Sequence, residues 1–162
     1  MPTTPNPTTV YTDGACQGNP GPGGWAWAVS PEGAPCGSGG ERQSTNQRME
    51  VRAAYEAMRA LPGPLVIVSD STYVVNCFNK KWHLNWQRNG WKNSQKQPVA
   101  NQDLWKPMVA LYDPKLHTFQ WVKGHSGNRM NDLVDQLAVA AAKGPYEAPS
   151  DASGREDPST LF

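Results

Sequence analysis

The positions of apolar residues divide the chain into strand-like and helix-like segments. Short apolar runs, continuous or alternating with polar residues, are typical of strands, whereas apolar residues three and four positions apart are typical of helices. Strands are predicted at about 8–13, 25–30, 36–43, 65–69 and 116–122. Helices are predicted at about 45–61, 71–80, 81–88, 101–112 and 131–143. This order predicts an α/β fold, with a five-stranded mixed sheet and helices on both of its faces.

Glycine and proline clusters mark the predicted turns. Residues 18–24 (Gly-Asn-Pro-Gly-Pro-Gly-Gly) are predicted to form a turn between the first two strands. The first helix is predicted to begin with Thr45 or Asn46 as its N-cap, because either side chain can accept a hydrogen bond from the first turn. The fourth strand, at 65–69, is continuously apolar, which is typical of a central strand that is covered on both faces.

The composition is that of one soluble domain. The chain has 162 residues, 38% of them hydrophobic, and no run of apolar residues long enough to span a membrane. Its first residues lack the basic and apolar regions of a signal peptide, and its three cysteines follow no metal-binding spacing, so we expect a reduced, cytoplasmic protein. We expect a catalytic domain at 8–143 between a disordered N-terminus (1–7) and a disordered acidic tail (144–162).

Charge is unevenly distributed along the chain, although the overall net charge is only +1. The segment 80–106 carries six basic residues and one acidic residue, together with four of the seven tryptophans. Basic side chains neutralise phosphates and aromatic rings pack on sugars or bases, so this segment predicts a nucleic-acid-binding surface. We expect Trp82 to contact nucleic acid, and we expect three others to pack in the core: Trp86, Trp91 and Trp105.

Four acidic residues lie at positions where a charge is difficult to bury. Asp13 and Asp70 end two predicted core strands, and Glu50 and Asp135 lie near the starts of two predicted helices. An unpaired buried carboxylate is strongly unfavourable, so four converging carboxylates would need cations. Such a cluster is typical of phosphodiester cleavage with two metal ions. Asp132 is the nearest competitor, and we interpret it as a favourable charge in the first turn of its helix.

Five short motifs follow one another in a defined order. They are Tyr-Thr-Asp-Gly with Gly-Asn-Pro-Gly-Pro-Gly-Gly (11–24), Thr-Asn-Gln-Arg-Met-Glu (45–50), Ser-Asp-Ser-Thr-Tyr-Val (69–74), Trp-Val-Lys-Gly-His-Ser-Gly (121–127) and Val-Asp-Gln-Leu-Ala (134–138). In this order and spacing the chain resembles bacterial type 1 ribonuclease H over about residues 8–143. The resemblance implies the ribonuclease H-like fold and hydrolysis of the RNA strand of RNA–DNA hybrids, with 5′-phosphate and 3′-hydroxyl products.

The resemblance also implies the catalytic residues. Asp13, Glu50, Asp70 and Asp135 would bind two Mg²⁺ ions, with Mn²⁺ as a possible substitute. His125 would assist proton transfer or product release. Glycines on both sides of His125 allow a mobile loop, and an imidazole titrates near neutral pH, which agrees with that role. His83 and His117 have no such setting and are expected to be structural.

Substrate contacts follow from the same resemblance. Amide side chains would contact the ribose hydroxyls, which distinguish RNA from DNA: Asn19, Asn46 and Gln47. Residues of a DNA channel would lie beside a basic protrusion at about 80–100: Tyr73, Trp82 and Ser94. Thr45 and Asn101 would hold one phosphate of the DNA strand.

Two other functions remain open from the sequence. One is a nuclease of the same fold that acts on DNA, and the other is a hybrid-binding module without catalysis. We favour the ribonuclease, because all four carboxylates are present together with the amides expected to read ribose. The substrate would be an RNA–DNA hybrid, as in removal of primers and R-loops. We expect a monomer without an obligate protein partner or membrane.

Overall fold

The computed structural model describes residues 6–146, and the remaining residues at both ends, including most of the predicted acidic tail, lie outside this range. Within it the chain forms five strands and five helices. The strands are β1 (Thr8–Cys16), β2 (Gly21–Val29), β3 (Cys36–Ser44), β4 (Leu65–Ser69) and β5 (His117–Trp121). The helices are α1 (Asn46–Ala60), α2 (Thr72–Asn79), α3 (Trp82–Arg88), α4 (Gln102–Leu111) and α5 (Arg129–Ala141). The number and order of elements predicted from the apolar pattern are confirmed.

The strands form a single mixed sheet in the order β3-β2-β1-β4-β5. Strand β2 pairs antiparallel with both β1 and β3, whereas β1 pairs parallel with β4 and β4 pairs parallel with β5. In the central parallel pair, Thr12 lies opposite Ser69. The next residues along the two strands are Asp13 and Asp70, so the sheet brings these two acids to one edge.

Helices cover both faces of the sheet. Successive residues of β1 point to opposite faces, and Val10 packs in the main core, which includes Met49 of α1. Tyr11 packs instead in a second cluster, together with Met130 and Val134 of α5. Helices α1 and α5 therefore lie on opposite faces, as the predicted α/β architecture requires.

The glycine-rich segment at 18–24 is not entirely a turn, which corrects the prediction. Strand β2 begins at Gly21 and includes Gly23 and Gly24. A Cβ atom on Gly23 would lie 2.7 Å from Cγ of Met49 in α1, and one on Gly24 would lie 2.1 Å from the carbonyl oxygen of Ala138 in α5. These glycines therefore allow the helices on both faces to approach the sheet closely.

Side-chain caps fix the starts of the two helices that carry the predicted acids. The hydroxyl of Thr45 accepts a hydrogen bond from the backbone N–H of Arg48 at 3.1 Å, which makes Thr45 the N-cap of α1. The side-chain oxygen of Asn128 accepts one from the N–H of Asn131 at 2.9 Å. Helix α5 therefore begins two residues earlier than predicted, and Asp132 lies in its first turn as expected.

Aromatic residues form the part of the core beneath the basic segment. Trp105 is fully buried, and its ring meets that of Trp86 edge-on at 5.3 Å between centroids. Both histidines expected to be structural are buried: Nδ1 of His83 lies 3.1 Å from the carbonyl oxygen of Cys77, and Nδ1 of His117 accepts a hydrogen bond from the backbone N–H of Asp113 at 2.9 Å. None of the helices within 6–146 combines the length and apolar character needed to cross a lipid bilayer.

Candidate active site

Three acidic side chains from different parts of the fold meet at one edge of the sheet. Asp13 lies in β1, Glu50 is the fifth residue of α1, and Asp70 directly follows β4. One carboxylate oxygen from each lies within 4.8 Å of those of the other two. Three acids separated by up to 57 positions in the sequence thus form a single cluster of oxygen ligands.

A backbone amide orders two of these carboxylates. The N–H of Gly14 donates to Oδ1 of Asp13 at 2.9 Å and to Oε1 of Glu50 at 3.1 Å. A Cβ atom on Gly14 would lie only 2.4 Å from the backbone nitrogen of Glu50, so a side chain there would push α1 away from β1. Glycine at position 14 therefore allows the helix to bring Glu50 next to Asp13.

Burial and mutual repulsion raise the pKa of the clustered acids. Asp13 is 3% exposed, and burial, followed by repulsion from Asp70, raises the pKa of its carboxyl to about 8. Burial also raises the pKa of Glu50 well above its usual value, with repulsion from Asp13 and Asp70 adding to the effect. The negative charges of Asp13 and Glu50 are therefore disfavoured where they stand, and a divalent cation bound among them would compensate this cost.

Asp135 and His125 lie around this cluster rather than in it. Asp135 is half-buried in α5, and its negative charge contributes to the raised pKa of Asp13, although it is not part of the group of three. His125 is exposed in the loop before α5, and its φ of +53° is in the left-handed region. The structure thus places Asp135 within electrostatic reach of the site and places His125 on a solvent-exposed loop beside it.

The amides predicted to contact ribose lie at the start of α1 and in the turn before β2. Asn19, in the turn before β2, accepts a hydrogen bond through Oδ1 from the backbone N–H of Asn46 at 2.9 Å. Asn19, Asn46 and the neighbouring Gln47 are all exposed. The bond between Asn19 and Asn46 brings two segments of the chain into one exposed polar surface beside the acidic cluster, since Glu50 follows one turn later in α1.

The three residues predicted for the DNA channel line one cleft. Tyr73, Trp82 and Ser94 border an open cavity of about 710 Å³. The phenolic oxygen of Tyr73 accepts a hydrogen bond from Nε1 of the buried Trp105 at 3.0 Å, and the rings of Tyr73 and Trp82 are 6.4 Å apart between centroids. The remaining lining residues are polar, basic or aromatic: Asn85, Trp86, Arg88, Asn89, Lys92 and Asn93. The cleft therefore combines ring faces with positive charge.

The last two predicted binding residues begin two different helices. Thr45 is the N-cap of α1, and Asn101 is the N-cap of α4 with a φ of +63°. Asn101 forms no side-chain capping bond. Both residues thus present polar side chains at the starts of helices, where backbone N–H groups and the helix dipole favour an anion.

Sequence reasoning missed the neighbours that hold Asp70. The side-chain nitrogen of Asn131 lies 3.4 Å from Oδ2 of Asp70, and the indole Nε1 of Trp121 donates to the backbone oxygen of Asp70 at 3.1 Å. A Cβ atom on Gly124 would lie 2.7 Å from the same Oδ2. An asparagine in the first turn of a helix predicts only capping, so the sequence carried no signal for this contact.

Comparison with known proteins places this geometry in a family. The family model for RNase H matches residues 5–143. Among solved structures, the chain is similar to LC9-RNase H1, described as a type 1 RNase H with the type 2 active-site motif, with a TM-score of 0.72 and 28% identity over 99% of this chain and 86% of that chain. LC11-RNase H1, solved in complex with RNA/DNA hybrid, shares the fold with a TM-score of 0.63 and 17% identity, over 84% of this chain and 96% of that one.

Relatives found by sequence have a higher identity to this chain than these two structures do. The ribonuclease H of Syntrophomonas wolfei is 50% identical over 138 residues, which cover 83% of this chain and 94% of the relative. The ribonuclease H of Nitratidesulfovibrio vulgaris strain Hildenborough is 49% identical over 137 residues, covering 83% of this chain and 88% of the relative. The chain therefore belongs to the RNase H family, and it is a ribonuclease H enzyme.

Proposed function

We propose that the chain hydrolyses the RNA strand of RNA–DNA hybrids to give 5′-phosphate and 3′-hydroxyl ends, with Asp13, Glu50, Asp70 and Asp135 holding two divalent cations. The observation that carries this proposal is the group of three carboxylates within 4.8 Å of one another, beside a cleft lined by aromatic and basic side chains. A protein of the same fold, LC11-RNase H1, has been solved with an RNA/DNA hybrid, which supports the substrate class.

The side chains of the cluster fit a hard divalent cation. All of the ligands are carboxylate oxygens, which Mg²⁺ prefers and Mn²⁺ also accepts. Burial, and after it repulsion from Asp70, raises the pKa of Asp13, so its charged form is disfavoured unless a cation compensates it. When bound, two such cations supply activation of a water molecule and stabilisation of the leaving 3′-oxygen.

The protein's own groups orient the acids and handle protons. The N–H of Gly14 holds Asp13 and Glu50, and the amide of Asn131 holds Asp70, so that the carboxylates are ordered before substrate binds. His125 stands on an exposed loop next to Gly124, which itself lies against Asp70. We assign to its imidazole the transfer of a proton or the release of product, because an imidazole nitrogen can donate or accept a proton and this ring is exposed beside the site.

The binding surfaces match the two strands of a hybrid. The cleft bordered by Tyr73, Trp82 and Ser94 would hold the DNA strand, with its rings against sugars and its basic residues against phosphates. Asn19 accepts through Oδ1, which leaves its side-chain N–H groups free to donate to a ribose hydroxyl. Asn46 and Gln47 are exposed beside it and would contact the same strand.

A strand-resolved cleavage assay tests the proposal. Each strand of a hybrid is labelled in turn and incubated with the protein and Mg²⁺, alongside duplex DNA and duplex RNA. We expect cleavage of the RNA strand only, and loss of cleavage with retained binding in Asp70→Asn. Asp132→Asn is the matched control, because Asp132 lies in the first turn of α5 and outside the cluster, so its activity should remain. Cutting of duplex DNA would favour the DNA-acting alternative, and binding without cutting would favour the hybrid-binding module.

Cation binding is tested separately by thermal unfolding without nucleic acid. A ligand that binds only the folded state raises the melting temperature with its concentration. We expect Mg²⁺ and Mn²⁺ to raise the melting temperature of the unaltered protein, and we expect a smaller rise in Asp70→Asn. An equal rise in both proteins would show that the cations bind elsewhere.

The biological setting forms the last part of the proposal. We propose a cytoplasmic monomer that removes RNA primers and R-loops, without an obligate protein partner. The odd number of cysteines, and the absence of a disulfide among residues 6–146, support a reducing compartment. Size-exclusion chromatography with light scattering at several protein concentrations tests the monomer, and a mass that rises with concentration would contradict it.

A further inference from the structure

A two-point ion pair joins the starts of helices α1 and α4. Arg48 in the first turn of α1 donates from Nη1 to Oδ1 of Asp103 at 2.9 Å and from Nη2 to Oδ2 at 2.7 Å. Asp103 lies in the first turn of α4. Two parallel bonds between planar groups fix both distance and orientation, which a single contact between flexible side chains does not. The two helix starts are therefore held in one relative position.

Each member of the pair follows closely after one of the two residues proposed to hold a DNA phosphate. Thr45 precedes Arg48 by three positions, and Asn101 precedes Asp103 by two. The hydroxyl of Thr45 accepts the N–H of Arg48, which leaves its hydrogen free to donate to a phosphate oxygen. Asn101 forms no side-chain capping bond, and its amide N–H groups can donate to the same phosphate. A shift between the helices would separate these two donors.

Three of the five N–H donors of the Arg48 guanidinium bind carboxylates. Its Nε donates to Oε1 of Glu41 in β3 at 2.8 Å, in addition to the two bonds with Asp103. Burial opposes its charge, but the hydrogen bonds with Asp103 and Glu41 outweigh burial and raise the pKa of Arg48. Hydrogen bonds from Arg48 lower the pKa of Asp103, so both groups stay charged near neutral pH. Arg48 is thus held in place by two carboxylates, which compensate its charge.

The negative charge of Asp103 distinguishes between two roles of the pair, direct attraction of a phosphate and positioning of the helices. It places a negative charge, with 38% of its side chain exposed, close to where a phosphate is proposed to bind. Taken alone, that charge would repel the DNA strand. Because Asp103 is unfavourable as a direct electrostatic neighbour, its benefit to the site lies in the geometry that it imposes on Arg48 and α1.

We propose that Arg48 and Asp103 are positioning residues that set the spacing between Thr45 and Asn101 for one phosphate of the DNA strand. This inference rests on the proposed binding of an RNA–DNA hybrid, in which Thr45 and Asn101 hold that phosphate. It goes further because it makes binding of the DNA phosphate depend on an ion pair that acts through the positions of Thr45 and Asn101.

Neutralising Asp103 separates positioning from electrostatics, because the two make opposite predictions. Asp103→Asn removes a negative charge, so electrostatics alone predicts tighter binding. Positioning predicts weaker binding, and we expect the Kd for the hybrid, measured without divalent cations, to rise roughly tenfold.

Arg48→Lys keeps the charge but loses the two-point contact, and its Kd should rise similarly. Arg59→Gln is the matched control, because the exposed Arg59 lies in the last turn of α1, where it contacts Glu56 and the ring of Tyr55 and not α4. Unchanged or tighter binding by Asp103→Asn, in a protein whose melting temperature shows that it is folded, would overturn the proposal.

A double-mutant cycle with Thr45→Ala completes the test. In the unaltered protein, Thr45→Ala should weaken hybrid binding, and a neutral methylphosphonate at one position of the DNA strand should do the same. In Asp103→Asn both effects should largely disappear, because the phosphate is no longer held. Full effects of Thr45→Ala in both backgrounds would overturn positioning while leaving the proposed substrate intact. If the unaltered protein cleaves the hybrid but shows neither effect, the phosphate site and this inference both fail, and the ribonuclease activity still stands.

Discussion

The side-chain amide of Asn131 donates a hydrogen bond to Oδ2 of Asp70 across 3.4 Å, and this bond ties helix α5 to the end of strand β4. Asn131 is only 2% exposed, and its backbone N–H is bound by the side chain of Asn128, so the donor is fixed. Gly124 approaches the same carboxylate oxygen from the loop before α5. Asp70 is therefore confined between a helix and a loop, which restricts where it can place its oxygens.

Replacing Asn131 tests whether this confinement matters for catalysis. In Asn131→Ala the Asp70 carboxylate loses a buried donor, so we expect a loss of roughly 1–3 kcal/mol in the free energy of unfolding. We expect kcat to fall roughly tenfold, with the hybrid Kd unchanged, because the acid is misplaced while the binding surfaces remain. Steady-state kinetics and urea unfolding measure the two effects. A protein with normal kcat but reduced stability would assign Asn131 a structural role only.

Adding a methyl group to Gly124 displaces the same carboxylate from the other side. The Cβ of Gly124→Ala would lie 2.7 Å from Oδ2 of Asp70, so the carboxylate must move. We expect a reduced kcat and a weaker rise of the melting temperature with Mg²⁺. Gly63→Ala is the control, since its Cβ would crowd Leu116 at a similar 2.9 Å in a part of the fold that no site residue occupies. Equal losses of kcat in both variants would indicate a general effect of crowding.

The apolar pattern predicted the fold well because the strands and helices follow their local periodicity. The element order was right throughout, and the short apolar strand β4 is central, as its composition indicated. The segment that begins β2 was misread, because its glycines were interpreted as turn residues. The close approach of α1 and α5 to the sheet requires these glycines. A local sequence pattern contains no information about that packing.

The candidate site was predictable where chemistry alone restricts the residue. A carboxylate at the end of a core strand needs a special explanation, so Asp13 and Asp70 could be found from the sequence. Asn131 could not, because an asparagine at a helix start has an ordinary explanation as a capping residue. Arg48 and Asp103 were hidden for a similar reason, since exposed charged residues on helices are common and their pairing appears only when two distant helices meet.

Neutralising Asp13 is expected to stabilise the metal-free protein. The carboxyl of Asp13 has a pKa of about 8 in the folded state, raised from an ordinary value of 3.8. The folded state therefore binds a proton that the unfolded state releases between these two values, and stability falls as the pH rises through that window. Asp13→Asn removes this penalty, and we expect a gain of roughly 1–3 kcal/mol at pH 8 with a smaller gain at pH 5.

Urea unfolding in a chelating buffer at both pH values measures this gain. Asp132→Asn is the control, because Asp132 lies at the start of α5, where its charge interacts favourably with the helix, and its removal should not stabilise the protein. With Mg²⁺ present the ranking should reverse, since the unaltered protein gains from cation binding and Asp13→Asn gains less. Destabilisation of the metal-free protein by Asp13→Asn at pH 8 would contradict the crowding of the acids.

Removing the ring of Trp82 tests the cleft that is proposed to hold the DNA strand. Trp82 lines that cleft with Tyr73, and an aromatic face against a base or sugar contributes roughly 1–3 kcal/mol. We therefore expect Trp82→Ala to weaken hybrid binding by about fivefold or more, with an unchanged dependence on salt, because no charge is lost.

Lys92→Gln, in the same cleft, should lower affinity and also reduce the slope of log Kd against log salt concentration by about one. Leu84→Ala is the control for α3, since Leu84 is exposed and does not line the cleft. Fluorescence anisotropy across a salt series measures all three, and an unchanged affinity in Trp82→Ala would place the DNA strand elsewhere on the surface.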